Sequence, residues 1–499
     1  MRVEEKADAT QSLANTQVLI VGLAREGTAL ARFLALRGAR VTVTDSRRAD
    51  ALADNLAALE GLPVTYALGG HPLDLLDKAE IVFVSPGVPL EIPLLAAART
   101  RGLPLSSETR LFTRLCPAPV VGITGSSGKT TTTALVGRML EAAGCKIWVG
   151  GNIGFPLIGH LDEMAATDLV VMELSSFQLE FFGPWSRLPE GRRDTVLFDT
   201  EGWSPSVAAV LNITPNHLDR HGTMEAYTAA KARILAYQRP GDLAVMNLDD
   251  PVTRGLAAGL GRAGQRVLWF SLEQEVEEGA FLRGDELILR LARREAVLCR
   301  TEDPKLPGRH NLANLLAAAA LAIGTLSAVK GVEELDSLPI EALSQVATSF
   351  EGVEHRLELV REYHQVRWYN DSIATTPERA AAALRSFDAP IVLLAGGRDK
   401  HLPWQEMAAL TWRKVRHLIL FGECADLIDR AMAETKNGSL PQQTEIHRAG
   451  TLARAVDMAA ELAQSGDVVL LSPGGTSFDA YRDFVARGDH FRDLVRGLE

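Results

Sequence analysis

The stretch from Val120 to Thr132, V-V-G-I-T-G-S-S-G-K-T-T-T, decides the fold of the chain. Apolar residues lead into a turn of glycine and serine, and an apolar-patterned segment follows, which predicts a strand, a loop and a helix. Glycines let backbone N–H groups surround phosphate oxygens, and the helix N-terminus adds positive partial charge. The strict phosphate-loop pattern fails because Ile123 occupies the position of its first glycine. A turn that binds nothing is the alternative, but Lys129 and Thr130 at the helix start favour an ATP site.

In this ATP site, Lys129 is expected to reach the terminal phosphates and Thr130 to hold a magnesium ion. The predicted ATP-binding loop comprises Gly125, Ser126, Ser127, Gly128, Lys129, Thr130 and Thr131.

The composition limits the class of protein. At 499 residues the chain is too long for one core, and two to four domains are expected. The net charge of −11 argues against nucleic acid as a partner, and four scattered cysteines suggest neither a disulfide framework nor a zinc site. Residues 1–16 lack the apolar core of a signal peptide, and the longest apolar run, 315–326, is too short to span a bilayer. We therefore expect a cytoplasmic protein without a membrane partner, in which 315–326 is a buried helix.

The N-terminal part has the layout of a dinucleotide-binding fold. Two predicted strands, 17–22 and 39–45, flank an amphipathic segment, and the second strand ends at Asp45. Ala24 stands where the second glycine of the fingerprint would admit a pyrophosphate, so the evidence for NAD is weak. A nucleotide held differently, for instance through uridine, is equally open. The proline-rich residues 116–119 mark the first domain boundary.

In the central part, polar side chains follow buried strands, which is where ligands bind in α/β sheets. Glu173 ends the strand 169–173 and is a candidate magnesium ligand, with a solvated acid as the alternative. His217 follows another strand and is a candidate for a metal or phosphate contact, with a structural histidine as the alternative. Lys231 lies among alanines of a predicted helix, and this pattern alone is typical of a solvated residue.

The remaining pattern predicts further elements. Residues 267–298 predict a β-hairpin around Gly284-Asp285, and residues 183–206 lack periodicity and are interpreted as an irregular insertion. A linker at 350–353 leads to a third part, where strands alternate with helices and end in glycine-rich turns. Its polar strand ends suit an anionic ligand, with Lys400 supplying charge and Ser477 a hydrogen bond.

Together, the motifs of the chain resemble those of the Mur ligases of peptidoglycan synthesis. In order they are G-I-T-G-S-S-G-K-T-T-T, G-G-N-I-G, E-L-S-S-F-Q-L-E, L-N-I-T-P-N-H-L-D-R-H, A-A-K, G-R-H-N-L-A-N, H-R-L-E, N-D-S-x-A-T, A-G-G-x-D-K and L-S-P-G-G-T-S-F-D. Each motif is modest alone, but their succession is specific. H-R-L-E, N-D-S-x-A-T and S-P-G-G-T-S-F-D are similar to those of the family member that adds D-glutamate.

The resemblance implies an α/β protein of three domains. They are a Rossmann-like UDP-binding domain (1–117), a central P-loop-type ATPase domain (118–352) and a Rossmann-like amino-acid-binding domain (353–499). It also implies an acid–amino-acid ligase: ATP phosphorylates the carboxylate of UDP-N-acetylmuramoyl-L-alanine, and the amine of D-glutamate attacks the acyl phosphate. The implied cofactors are ATP, magnesium at two sites and a carbamylated Lys231. The implied enzyme is a cytoplasmic monomer that acts on small molecules.

The resemblance also assigns residue roles, motif by motif. The implied catalytic residues are Lys129, Glu173, His217 and Lys231, and the implied metal ligands are Thr130, Glu173, His217 and Lys231. Further ATP contacts are Asn314, Arg356 and Asp371. The implied contacts of the UDP substrate are Asp45, Arg47, Ser85, Asn152, Ser175 and Gln178, and those of D-glutamate are Thr375, Lys400, Ser477 and Phe484.

The chain departs from the family pattern at three places. Ile373 replaces a lysine that is usual in N-D-S-K-A-T, residues 183–206 add length, and Trp404 closes A-G-G-R-D-K-H-L-P-W where other members vary. Two other functions are open on the sequence. One is a sibling ligase that adds L-glutamate, and the other is a nucleotide-binding regulatory protein that has lost the chemistry. The joint presence of Lys129, Glu173, His217 and Lys231 argues against the second.

Overall fold

The computed structural model describes residues 13–185, 197–198, 200–261, 264–306, 308–332, 334–399, 402–436 and 444–498. The chain divides into two compact units, Met1–Phe350 and Glu351–Glu499. The division lies inside the predicted linker at 350–353. The described residues form two sheets in the first unit and one in the second.

The first sheet is parallel and has helices between its strands. Its strands are β1 (Gln17–Val21), β2 (Arg40–Asp45), β3 (Val64–Leu68), β4 (Ile81–Val84) and β5 (Leu105–Ser106). Its helices are α1 (Arg25–Leu36), α2 (Ala53–Ala57), α3 (Pro93–Thr100) and α4 (Glu108–Leu115). The strand order is β3-β2-β1-β4-β5, so the direction of winding reverses between β1 and β4. Parallel α/β sheets bind ligands at such a reversal, outside the carboxyl ends of the strands.

The second sheet follows the phosphate-loop stretch. Its strands are β6 (Val120–Thr124), β7 (Ile147–Gly151), β8 (Leu169–Glu173), β9 (Val207–Val210), β10 (Leu243–Asn247), β11 (Arg266–Ser271), β12 (Gly279–Arg283), β13 (Glu286–Leu291) and β14 (Arg294–Arg300). Its helices are α5 (Lys129–Ala142), α6 (Ser176–Leu179), α7 (Leu218–His221), α8 (Met224–Ala236), α9 (Pro251–Ala257), α10 (Arg309–Lys330) and α11 (Ile340–Ser349). The order is β14-β13-β12-β11-β10-β9-β6-β8-β7. Strands β6 to β12 run parallel, and β13 and β14 pair antiparallel.

Two local predictions in this sheet are confirmed. Strands β12 and β13 form the predicted hairpin, in which Arg283 pairs with Glu286 across Gly284-Asp285. The apolar run at 315–326 lies within α10 and is buried in the core between α5 and the sheet. By length and composition alone α10 is apolar enough to cross a membrane, but 78% of its most apolar window is buried inside the protein. This burial is typical of the core helix of a globular protein.

The predicted insertion at 183–206 is described only in part, since residues 186–196 and 199 lie outside the described residues. The described ends of the insertion pack against the first unit. The indole of Trp185 donates to the Leu105 carbonyl at 3.1 Å, and Trp203 meets Phe182 edge to face.

The third sheet forms the C-terminal unit. Its strands are β15 (Glu358–Tyr363), β16 (Val366–Asn370), β17 (Ile391–Gly396), β18 (Val415–Phe421), β19 (Glu445–Gly450) and β20 (Val468–Gly474). Its helices are α12 (Pro377–Arg385), α13 (Gln405–Lys414), α14 (Ala425–Thr435), α15 (Leu452–Leu462) and α16 (Phe484–Arg496). The order is β15-β16-β20-β17-β18-β19, parallel except for β15. Alternate residues of the buried strands face two separate hydrophobic cores, one on each side.

Candidate active site

The phosphate loop joins β6 to α5 in the shape that its glycines predict. Gly128 has a φ of +79°, a left-handed conformation that other residues rarely adopt. A Cβ atom on Gly128 would lie 2.2 Å from Asn314 Oδ1, so the loop packs directly against the first turns of α10. On the other side, Asn212 Oδ1 accepts a hydrogen bond from the Ser127 N–H at 2.9 Å. The predicted ATP contact Asn314 therefore lies beside the loop, and Thr131 lies in the first turn of α5.

Thr130 and Glu173 meet at the carboxyl ends of β6 and β8. The Thr130 hydroxyl donates to Glu173 Oε2 at 2.7 Å, and the Asn152 amide donates to Glu173 Oε1 at 2.8 Å. Glu173 is 2% exposed, so the interpretation of this residue as a solvated strand-end acid is wrong. The Lys129 ammonium donates to the carbonyls of Gly125 at 2.9 Å and Ser126 at 3.3 Å. Oxygen ligands suitable for magnesium and a cation suitable for phosphate thus occupy one edge of the sheet.

Lys231 lies beneath the phosphate loop and not in solvent. Its side chain extends from α8, is 2% exposed and donates to the Gly125 carbonyl at 2.9 Å. The residue pattern alone predicts a solvated helix residue, and this prediction is wrong because Lys231 belongs to the buried face of α8. The pKa of Lys231 is lowered to about 7, chiefly by burial and also by the charge of Lys129, while Glu173 acts in the opposite direction. A substantial share of this amine is therefore neutral at neutral pH.

His217 is held in a cluster of aromatic and charged residues between α6 and α7. It precedes α7 with a φ of +52°, and its ring centroid lies 5.1 Å from that of Phe177. The Phe177 ring also stacks on His221 at 5.5 Å, and the Arg220 guanidinium lies 3.9 Å from its centre. His221 in turn contacts Ser176 Oγ at 3.0 Å. The motifs E-L-S-S-F-Q-L-E and L-N-I-T-P-N-H-L-D-R-H therefore form one local structure around His217.

Gln178 is buried and is engaged in hydrogen bonds within the protein. It forms a capping box with Ser175. The Ser175 hydroxyl accepts a hydrogen bond from the backbone N–H of Gln178, and the side-chain oxygen of Gln178, Oε1, accepts one from the backbone N–H of Ser175. Its amide nitrogen donates to Glu26 Oε1 at 3.3 Å and Thr109 Oγ1 at 3.1 Å. Glu26 and Glu108 lie buried here, and burial raises the pKa of both carboxyls, with the charge of Glu26 raising that of Glu108 further. A substrate contact by Gln178 requires one of these bonds to open.

The residues predicted to contact uridine meet at the reversal point of the first sheet. The Ser85 hydroxyl donates to the Gly22 carbonyl at 2.9 Å, which joins the ends of β4 and β1. Asp45 accepts from the Leu23 N–H at 2.8 Å and forms an ion pair with Arg47 at 2.9 Å. Burial acts to raise the pKa of Asp45, but hydrogen bonds from Arg47 and Leu23 outweigh it and lower the pKa overall. The three residues thus lie at one edge of the sheet.

In the C-terminal unit, polar groups collect at the carboxyl ends of β16 and β20. Asp371 follows β16, is buried and accepts from the Ser472 hydroxyl at 2.8 Å. Burial raises the pKa of Asp371 to about 7, although Ser472, Leu357 and Arg356 each lower it. Thr375 follows Asp371 in the same turn, Ser477 is buried after β20, and Phe484 begins α16. Lys400 lies outside the described residues.

The H-R-L-E motif leads into β15, which begins at Glu358, and has an unusual backbone. His355 has a φ of +61° and Leu357 a φ of +44°, and Arg356 lies between these two left-handed residues. Such conformations cost of order 1–3 kcal/mol each for residues other than glycine and cluster at functional sites. The strain agrees with a role for the predicted ATP contact Arg356.

Sequence reasoning missed several residues that shape these sites. Arg487 is fully buried on α16 and donates to the carbonyls of Ser372 at 2.9 Å and Gly475 at 3.1 Å, which links the two predicted pocket loops. The sequence around Arg487 gave no signal, because an arginine in an amphipathic helix is ordinarily exposed. Asn212 and Phe177 lie inside quoted motifs, but only the fold reveals what they contact.

Comparison with known proteins agrees with this architecture over the whole chain. Family models match at three places: the Mur ligase MurD-like N-terminal domain at 16–107, the Mur ligase middle domain at 123–322 and the Mur ligase glutamate ligase domain at 355–475. The chain is 43% identical to a protein of Symbiobacterium thermophilum (96% of this chain, 97% of the relative). It is 42% identical to one of Geotalea uraniireducens (98% and 98%) and 38% identical to one of Acetivibrio thermocellus (99% and 98%). All three are named UDP-N-acetylmuramoylalanine–D-glutamate ligase.

Solved structures agree at the level of the fold. The UDP-N-acetylmuramate-alanine ligase MurC of Thermotoga maritima aligns with a TM-score of 0.50 at 17% identity and covers 96% of this chain and 99% of its own. MurF of Acinetobacter baumannii aligns with a TM-score of 0.50 at 15% identity and covers 98% of each chain. Three Mur ligase family models match this chain, and relatives that cover nearly its whole length are 38–43% identical to it. This chain therefore belongs to the Mur ligase family.

Proposed function

We propose that this chain is the ATP-dependent ligase that joins D-glutamate to UDP-N-acetylmuramoyl-L-alanine, a step of peptidoglycan synthesis. One observation carries the proposal. The phosphate loop, the Thr130–Glu173 contact and the buried amine of Lys231 meet at the carboxyl ends of β6 and β8. The full-length relatives named as D-glutamate ligases support the choice of substrate.

The proposed reaction has two steps. A carboxylate oxygen of the L-alanyl group attacks the terminal phosphorus of ATP, so that a C–O–P bond forms while the bond to ADP breaks. The amine of D-glutamate then attacks the acyl carbon, loses a proton and expels phosphate, which leaves an amide. Negative charge spreads over the transferred phosphoryl group. Lys129 and the backbone N–H groups at the start of α5 stabilise that charge.

The residues present fit magnesium. Thr130 Oγ1 and Glu173 Oε2 are hard oxygen ligands 2.7 Å apart, and we assign the first magnesium to them. We assign His217 and Lys231 to the second. An ammonium binds no cation. A neutral amine forms an N–C bond to CO₂ and releases a proton to solvent, which gives a carbamate whose oxygens can bind a cation. The pKa of about 7 at Lys231 makes that neutral amine available. Bound magnesium neutralises phosphate charge and polarises the phosphoryl oxygens.

The remaining assignments follow the three sheets. Residues 1–117 bind the uridine nucleotide through Asp45, Arg47 and Ser85, while Asn152, Ser175 and Gln178 contact the muramoyl-alanine end. Residues 118–352 bind ATP. In the C-terminal domain, 353–499, we assign Arg356 and Asp371 as further ATP contacts. Thr375, Lys400, Ser477 and Phe484 of that domain bind D-glutamate. The enzyme acts as a cytoplasmic monomer.

The decisive experiment measures phosphate release from ATP. The assay contains UDP-N-acetylmuramoyl-L-alanine, magnesium, bicarbonate and one amino acid from a panel that includes D- and L-glutamate. Release with D-glutamate alone is the expected result. Release with L-glutamate alone would refute D-glutamate as the substrate but would still support a ligase reaction. No release with any amino acid would favour the alternative of a nucleotide-binding regulatory protein.

The role of Lys231 has a separate test. Lys231→Met should abolish phosphate release and leave ATP binding in place, because the substitution removes the nitrogen that forms the carbamate. Lys330→Met changes an exposed lysine at the end of α10 and is the matched control. Depletion of CO₂ should lower the wild-type rate, and bicarbonate should restore it. An active Lys231→Met variant would contradict the proposed role.

A further inference from the structure

Two histidines and a glutamate converge at the edge of the third sheet, within the C-terminal unit. His417 of β18 pairs in register with Glu445 of the edge strand β19, and His447 lies two residues after Glu445 on the same face. His417 Nδ1 lies 3.2 Å from His447 Nε2 and 3.4 Å from Glu445 Oε2, and His447 Nε2 lies 3.8 Å from Glu445 Oε2. Among the described residues this is the one group of three potential metal-ligand side chains whose ligand atoms all lie within 4.8 Å.

These separations match the edges of a metal coordination tetrahedron. Zinc binds histidine nitrogen and carboxylate oxygen at about 2.0–2.1 Å, and a tetrahedron of that radius has edges of about 3.3 Å. We propose that His417, Glu445 and His447 form a binding site for a divalent transition metal of the zinc class. Two imidazoles and one carboxylate select such a metal over magnesium, which prefers oxygen ligands alone. Water completes the fourth position.

The surroundings favour a bound cation. The side chain of Glu445 is 67% exposed and that of His447 is 22% exposed, so a metal reaches the site from solvent, while His417 is almost buried and anchors it. The charge of the neighbouring Arg416 is compensated by an ion pair with Asp467 at 3.0 Å. Without a metal, a hydrogen bond between the two imidazoles would explain the contact between His417 and His447. Such a bond needs only one neutral imidazole as acceptor, and it does not explain why the Glu445 carboxylate lies beside both rings.

The position in the sheet assigns the metal a structural role. His417 and Glu445 lie near the amino ends of parallel strands, whereas Asp371 and Ser477 follow the carboxyl ends of β16 and β20. The metal is therefore remote from the amino-acid pocket along the strands. It joins β18 to the edge strand β19, which has a neighbouring strand on only one side.

The test is equilibrium dialysis of the full-length protein against Zn²⁺ in the presence of excess Mg²⁺, with cobalt(II) absorption as a second readout. Wild type should bind one zinc that the His447→Gln and Glu445→Gln variants lose. The affinity for zinc should fall more than about 100-fold in His447→Gln. His447 is a direct ligand in the proposed site, and even the loss of a residue that only hydrogen-bonds to a ligand costs about 10–100-fold in metal affinity. Wild type should also show the intense visible bands of tetrahedral cobalt and melt at a higher temperature with zinc.

Two controls separate this site from other zinc binding. His160→Gln removes an exposed histidine that faces Glu163 at 3.0 Å, and Glu173→Gln alters the candidate magnesium site. Both variants should keep the zinc and the cobalt bands. Undiminished zinc binding in His447→Gln and Glu445→Gln, or no zinc retained by wild type, would overturn the proposal. Glu445 is exposed and His447 is half-buried, so circular dichroism should show an unchanged fold in the His447→Gln and Glu445→Gln variants.

Discussion

Asp371 should make the C-terminal unit lose stability as the pH rises. Its carboxyl is buried, and the pKa is raised from 3.8 to about 7, chiefly because burial disfavours the charged form. Between these two values the folded chain holds a proton at Asp371 that the unfolded chain has released. Stability is therefore complete below the unfolded pKa and falls until the pH passes the folded pKa.

The magnitude follows from the difference between the two pKa values, which is about 3. One pKa unit corresponds to about 1.4 kcal/mol, so ionisation of Asp371 costs the folded state about 4 kcal/mol. Asp371→Asn removes the titrating group and keeps an amide that can pair with the Ser472 hydroxyl. The variant should match wild type at pH 4 and should be more stable by about 4 kcal/mol at pH 8.

The assay is urea unfolding of both proteins from pH 4 to pH 8, followed by tryptophan fluorescence, to which Trp368, buried in β16, contributes. Asp388→Asn is the matched control, because Asp388 is an exposed aspartate of the same unit. Its unfolding free energy should parallel that of wild type across the range. A constant difference between Asp371→Asn and wild type from pH 4 to pH 8 would refute the reasoning.

Three further predictions concern the first unit. Gly128→Ala should weaken ATP binding at least tenfold, because Gly128 has a φ of +79° that strains any side chain and the new Cβ would displace the Asn314 amide; isothermal titration that gives wild-type affinity would contradict this. Arg293→Gly should stabilise the turn between β13 and β14 by about 1 kcal/mol in urea unfolding, since Arg293 has a φ of +65°; an unchanged or lower midpoint would count against it. Glu108→Gln should raise the melting temperature at pH 9 more than at pH 5, because Glu108 ionises at high pH among buried groups; equal shifts would exclude this cause.

The sequence predicts the sheets well, because each buried strand is a short apolar run that ends in glycine or a polar residue. The phosphate loop is predictable for the same reason, since Gly128 and Lys129 carry their conformation and charge locally. The turn between β13 and β14 is not, because Ala292 and Arg293 both adopt positive φ without the asparagine or glycine that signals such a turn.

Contacts between distant parts of the chain account for the other misses. The helical pattern around Lys231 shows amphipathic spacing. Which face of α8 is buried, however, depends on how α8 packs under the phosphate loop. There Lys231 contacts Gly125, which lies 106 residues earlier in the chain. Arg487 likewise finds its partner Ser372 across 115 residues. Local propensity contains no information about such pairs, and only a family resemblance singled out Lys231 beforehand.

The hydrogen bonds of Gln178 have a consequence for how the first unit folds. They tie Glu26 of α1 and Thr109 of α4 to the short helix that follows β8, and Arg25 adds a bond to the Gly154 carbonyl at 2.6 Å. A fragment cut at residue 117 would leave Glu26 and Glu108 without this cover and would expose their carboxyls to water. One hydrophobic core also contains residues of both sheets, so we expect the first two sheets to melt together in a single cooperative transition.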